Sequence, residues 1–395
     1  MRPYEVIDEE KKKMSIVKKT KEYIEYNSVS ALSNLALAQR LQDDLEAQGF
    51  ETTGHRRLDA RGIEKINLIA RKADRFGRIE GGLMLAGHMD TVPFRPDQKA
   101  TLAAFQEGGV LYGRGSCDMK GAIAAQIEAA ARFAKHSLER PLTLAFTSDE
   151  EVGCLGAKAL LGTSLLQSRY AIVGEPTSLK PVRMHKGYFG AEITLHGTAA
   201  HSSRPRQGRS VIKAAARMVL GLEALEAELE RELVPGRSAF FQPECATINI
   251  GIMSAGTARN VVPEDGRWTL EYRPLPGQDA QRWIARFEAR IQEIADASGI
   301  QATIEWNTHD APMETPETSP LVAFCTEVTG HPAGAVAFST EGKEYNQMGM
   351  ESVILGPGSI DKAHQEDEFV PLDELEASVD IYAAAIERFC MAPDE

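Results

Sequence analysis

His88, Asp90, Asp118, Glu150, Glu151, Glu175 and His364 are residue types that bind metal ions or move protons, and each occupies a similar place along the chain. Residues 82–86 form an apolar run that leads into His88 and Asp90. Residues 142–146 lead into Glu150 and Glu151, residues 170–173 into Glu175, and residues 352–355 into the loop that holds His364. Asp118 stands directly before an alanine-rich helical stretch. Two histidines with several carboxylates and no cysteine make a donor set for zinc, or for a neighbour such as cobalt or manganese. Each piece alone has a plainer reading. A His-x-Asp is a weak signal, Asp-Glu-Glu is a common solvated turn, Glu175 is an ordinary loop acid, and Asp118 is a good helix N-cap. Cys117 beside Asp118 faces another way in an extended loop. Five separate strand ends or loops nevertheless carry ligand-type residues, and several also carry glycines that permit close backbone approach.

Residues in such places converge only if the strands lie side by side. Short apolar runs alternate with helical patterns, which predicts an α/β sheet covered on both faces. In an open sheet of this kind, ligands bind at the carboxyl ends of the strands. The middle of the chain reads differently: strand 190–196, helix 211–233, strands 247–252 and 268–272, helix 278–297 and strand 302–306. That order is the ferredoxin-like βαββαβ plan. The expected organisation is a mixed α/β sheet flanked by helices, residues 1–186 and 310–395. A smaller ferredoxin-like domain, residues 187–309, is inserted in it.

The composition excludes several function classes. The chain has 395 residues, 43% hydrophobic and 26% charged, which is ordinary for a globular protein with more than one core. No apolar run reaches the ~18 to 20 residues of a membrane span. Residues 1–20 are charged and lack the apolar core of a secretory signal. A net charge of -13 and few aromatic residues argue against a nucleic-acid surface. Five cysteines without a close pair argue against a disulfide framework. The expected setting is the cytoplasm.

The motifs Gly87-His88-Met89-Asp90-Thr91-Val92-Pro93, Gly113-Arg114-Gly115-Ser116-Cys117-Asp118-Met119-Lys120-Gly121, Ser148-Asp149-Glu150-Glu151-Val152-Gly153 and Gly174-Glu175-Pro176-Thr177 occur in that order. Together they resemble the zinc-dependent aminoacylase and carboxypeptidase family of metallopeptidases. The resemblance implies two zinc ions per chain, with cobalt as an alternative. It implies that Asp118 bridges them, with His88 and Glu175 completing one site and Glu151 and His364 the other. Asp90 would orient the His88 ring and Glu150 would be the general base. In Ala200-His201-Ser202-Ser203, the resemblance implies that His201 reaches the oxyanion of a neighbouring subunit. This requires a homodimer built through the inserted domain, which also serves as a lid. Asn260 and Arg273 match positions that hold the substrate's polar end, although a cross-strand ion pair is the plainer reading of Arg273.

Two further segments resemble the acetylornithine deacetylases within that family. One runs from Glu175 through Lys186 to Gly187. The other is Phe338-Ser339-Thr340-Glu341-Gly342 with Leu355-Gly356-Pro357-Gly358. The implied reaction is conversion of N2-acetyl-L-ornithine to L-ornithine and acetate, a step of arginine biosynthesis. Lys186 and Glu341 join the substrate-binding candidates, since an acid near the cleft suits a cationic side chain; a solvated loop acid is the equal alternative. The run Gly342-Lys343-Glu344 departs from the pattern. It leaves acetylcitrulline, succinyl-diaminopimelate or a dipeptide as other substrates, and a non-enzymatic binding relative as the reading from another class.

Overall fold

The structure is a computed structural model that describes residues 9–391. The first eight residues of the charged N-terminal stretch therefore lie outside the described residues, as do the last four of the chain. The described chain divides into two compact units. Of the described residues, one comprises 9–183, 315–334 and 340–391, and the other 184–314 and 335–339.

The first unit is built on a mixed sheet. Its central strands, in spatial order, are Leu142–Thr147, Leu83–His88, Tyr170–Val173 and Glu351–Ile354, all mutually parallel. The first three are buried along their whole length and the fourth nearly so. This is why they read as unbroken apolar runs: helices cover both faces of such a sheet. Because the four strands run the same way, the loops leaving His88, Thr147, Val173 and Ile354 emerge at one edge. Lys120–Ala131 is alanine-rich because it is packed almost entirely inside; ten of its residues are buried. Small residues also let the main chain close up at that edge. A Cβ on Gly356 would lie 2.1 Å from the carbonyl oxygen of Gly174, so only glycine fits between these two loops.

Antiparallel strands extend this sheet: Glu64–Lys72 pairs with Leu142–Thr147, and Glu51–Leu58 pairs with Glu64–Lys72. The apolar pattern predicts no strand over 51–58. That segment is an edge strand with no fully buried residue, so it lacks the apolar signal that marks its neighbours.

The second unit has the strand order Thr247–Asn249, Asp265–Arg273, Tyr188–His196 and Gln301–Asp310, all antiparallel, with Met253–Ala255 also on Asp265–Arg273. Helices Val211–Leu229 and Ala280–Ser298 complete the βαββαβ plan. Ser210 and Asp279 cap these helices by accepting N–H groups of Lys213 and Arg282, and Gly299 ends the second in the left-handed region at φ 64°. Ile193, Leu195, Met218, Trp268, Tyr272, Trp283 and Phe287 form the core between sheet and helices.

Candidate metal centre

The loops at the carboxyl edge of the parallel strands bring five of the expected residues together. Asp118 lies between two histidines. Its Oδ1 is 2.9 Å from His88 Nε2, and its Oδ2 is 3.1 Å from His364 Nε2. Glu175 Oε1 lies 3.7 Å from His88 Nε2, and Glu151 Oε2 lies 2.9 Å from His364 Nε2. Two donor groups result, His88 with Asp118 and Glu175, and Asp118 with Glu151 and His364. Within each, the donor atoms lie within 4.8 Å of one another. His88, Asp118 and Glu175 are buried, while His364 is exposed on a loop where its own φ is 62°.

Charge in this place is unbalanced. Asp118, Glu150, Glu151 and Glu175 stand against two imidazoles. Burial, reinforced by Asp118, pushes the Glu151 carboxyl up to about 7. Burial pushes Glu150 and Glu175 upward as well, with Asp118 adding to it. Hydrogen bonds to Asp118 and Glu151 raise His364 to about 10. Burial works against the charge of Asp118, but His364 and His88 outweigh it and hold that carboxyl below its usual range. Nitrogen and carboxylate donors crowded this closely suit divalent cations, whose charge would offset the surplus of acid. Both donor groups therefore fit metal.

Asp90 has a different first partner from the one expected. His88 Nδ1 is 2.9 Å from the main-chain oxygen of Asp90, while the carboxylate lies 3.7 Å away. The carboxylate instead accepts the N–H groups of Glu150 and Glu151, at 3.0 and 3.3 Å, and the hydroxyl of Ser30 at 2.7 Å. Asp90 thus fixes the His88 ring through its backbone and the 150–151 loop through its side chain. Asp149, at φ 56°, is clamped on the same loop by Arg57 and by Lys65, whose Nζ is 2.8 Å from Oδ1. Asp149 sits inside the Ser148–Gly153 motif; Arg57 and Lys65 carry no sequence signal, being single cations on strands. Lys343, in the run Gly342-Lys343-Glu344, lies close enough to Glu150 for its charge to be felt there. Its Nζ is 3.2 Å from Cys154 Sγ, which in turn is 3.4 Å from Glu150 Oε1.

Glu341 is fully buried, bonded to Thr147 at 2.6 Å and Tyr345 at 3.2 Å, and burial pushes its carboxyl up to about 8. This enclosure excludes the solvated loop acid, and Glu341 feels the charges of Glu150 and His88. Lys186 is likewise enclosed within the second unit, where its Nζ donates to the main-chain oxygen of Cys245 at 2.6 Å. Arg273 pairs with Glu271 on its own strand at 2.5 Å and lies over the Tyr188 ring. His201 and Asn260 are exposed in the second unit; the His201 Nδ1 is 2.8 Å from the Ser203 hydroxyl.

Known proteins place this chain. The profile of Peptidase family M20/M25/M40 matches residues 84–388. An acetylornithine deacetylase of Myxococcus xanthus is 38% identical over 93% of this chain and 96% of its own. Among solved structures, a tripeptidase from Staphylococcus aureus superposes with a TM-score of 0.77 at 21% identity, covering 95% of this chain and 98% of that one. A dinuclear metal-binding M20 peptidase from Bacillus subtilis reaches 0.69 at 15% identity, covering 95% and 98%. The matched profile and the full-length relative show that the chain belongs to peptidase family M20/M25/M40, as a metal-dependent amidohydrolase.

Proposed function

We propose that the chain hydrolyses the amide of N2-acetyl-L-ornithine, releasing L-ornithine and acetate, and that it holds two zinc ions, replaceable by cobalt. The observation that carries this reading is the placement of Asp118, whose two oxygens face two histidine–carboxylate groups. His88 and Glu175 would hold one ion, Glu151 and His364 the other, with Asp118 shared. When bound, divalent metal supplies Lewis acidity toward water and toward an amide carbonyl. Glu150 takes the proton of the attacking water and delivers it to the departing amine nitrogen. Burial shifts its carboxyl upward, in the direction that favours proton delivery. Asp90 keeps His88 and the Glu150 backbone in register.

The second unit contributes His201 to the oxyanion across a subunit boundary, and Asn260 and Arg273 to the substrate carboxylate. The motif around His201 supports this, and Ile212, Leu220, Ile252 and Met253 are exposed apolar side chains open to a homodimer contact. Among the described residues no helix is long and apolar enough to cross a membrane, and we place the enzyme in the cytoplasm. The matched deacetylase supports the choice of acetylornithine. The test is a panel of N-acetylornithine, N-acetylcitrulline, succinyl-diaminopimelate and dipeptides with zinc- or cobalt-loaded protein. N-acetylornithine is expected to have the highest kcat/KM; a dipeptide in that position would overturn the assignment.

A further inference from the structure

We propose that Glu368, which no motif singles out, is a positioning residue that sets the metal affinity of the centre by locking the loop of Asp118 to the loop of His364. This rests on the reading of Asp118 and His364 as metal ligands. Glu368 is 1% exposed, yet all its acceptor positions are engaged on one short loop. Its Oε1 accepts the N–H groups of Cys117 and Asp118, both at 3.0 Å. Its Oε2 accepts the N–H of Gly115 at 3.1 Å and Nη1 of Arg114 at 2.6 Å. An ionised carboxylate has about four lone-pair sites, and four donors occupy them here. The geometry is that of a main-chain anion nest closed over a side chain from a distant part of the sequence.

The clamp is double. Arg114, itself 1% exposed, sends its other Nη to the main-chain oxygen of Gln365 at 3.0 Å, and the N–H of Gly113 reaches the main-chain oxygen of Glu368 at 3.3 Å. His364 and Glu368 therefore bracket one short segment that is tied at its near end and its far end to the loop carrying Asp118. These bonds constrain the separation of Asp118 from His364, beside their direct contact at 3.1 Å. Metal sites depend on such outer partners, whose loss typically costs ~10- to 100-fold in affinity. Glutamine at 368 keeps the shape but turns one acceptor into a donor that faces N–H donors, so at least one pair of bonds must break.

The experiment is chelator competition on purified full-length protein, with zinc and then cobalt, comparing wild type with Glu368→Gln, Arg114→Met and Arg114→Lys. Circular dichroism checks the fold. Glu368→Gln should bind metal ~10- to 100-fold more weakly and shift the visible absorption of the cobalt form. Arg114→Met should do the same to a smaller degree, and Arg114→Lys, which keeps one donor toward Oε2, should recover part of the loss. If Glu368→Gln does not fold, the Arg114 pair decides. Folded variants with wild-type affinity and an unchanged cobalt spectrum would overturn the role of Glu368. A wild-type protein that binds no metal would overturn the underlying metal reading instead, so the two failures are distinct.

Discussion

His88 in the first unit and His201 in the second each begin a short motif, but their surroundings differ. His88 is 1% exposed, and both ring nitrogens are occupied, Nδ1 by the carbonyl of Asp90 and Nε2 by Asp118. His201 lies on the surface, and its Nδ1 contacts Ser203 two residues away. The contrast extends to their neighbours. Around His88, a donor is held by a second residue that is itself held in place, as Asp90 holds Glu150 and Ser30 holds Asp90. In the second unit, Arg273 pairs with Glu271 and lies over the face of Tyr188. A rigid, desolvated set of groups suits chemistry that tolerates little displacement. An exposed, locally bonded set suits contacts completed by a substrate or a second copy.

The largest effect is expected at Asp118. Asp118→Ala should remove the donor shared by both groups and so lose bound metal and essentially all turnover, as metal analysis and a deacylation assay would show. Retention of two ions by this variant would mean that the two groups are independent. Glu150→Ala sharpens the same point from the other side. It should keep its metal and lose ~10²- to 10⁴-fold in kcat; wild-type turnover would remove Glu150 from the reaction.

The effect at His201 should depend on assembly. His201→Ala and Glu150→Ala should each be nearly inactive as homodimers. Subunit exchange should restore activity up to about half of wild type per mixed dimer, one complete site being rebuilt. Confirmed exchange without recovery would confine His201 to its own chain. The smallest effect concerns Glu341. Its folded carboxyl titrates at about 8 against an ordinary 4.5, so the folded state binds the extra proton between these values. Stability should therefore fall as pH rises from about 4.5 to about 8 and level off above. Glu341→Gln should flatten that part of the thermal-stability profile. An unchanged slope would show that Glu341 is ionised in the fold.

Much of the centre is legible in the sequence because parallel strands buried on both faces are spelled as apolar runs, and the residues just beyond each run must emerge at one edge. His88, Glu150, Glu151 and Glu175 all obey that rule. The strand Glu51–Leu58 escapes it because an edge strand needs no apolar side chains. Glu341 reads by its type and motif as a partner for a cationic ligand or as a solvated loop acid, and its place under Thr147 and Tyr345 excludes the solvated loop. Glu368 carries no signal at all, since an acid in a segment of acids looks solvated until the nest of N–H groups around it is seen.

The amino-acid order alone determined the periodicities, and through them the α/β sheet, the βαββαβ unit and the types of donor delivered to the strand ends. These depend on local hydrophobic pattern and residue chemistry, which a linear sequence contains. Tertiary structure alone decided which oxygen of Asp118 faces which histidine. It also decided that Asp90 serves Glu150 through its carboxylate and His88 through its backbone, and that a buried acid far along the chain closes the Asp118 loop. Those outcomes turn on hydrogen-bond directions and distances of about 3 Å between segments remote in sequence, and only the folded chain sets them.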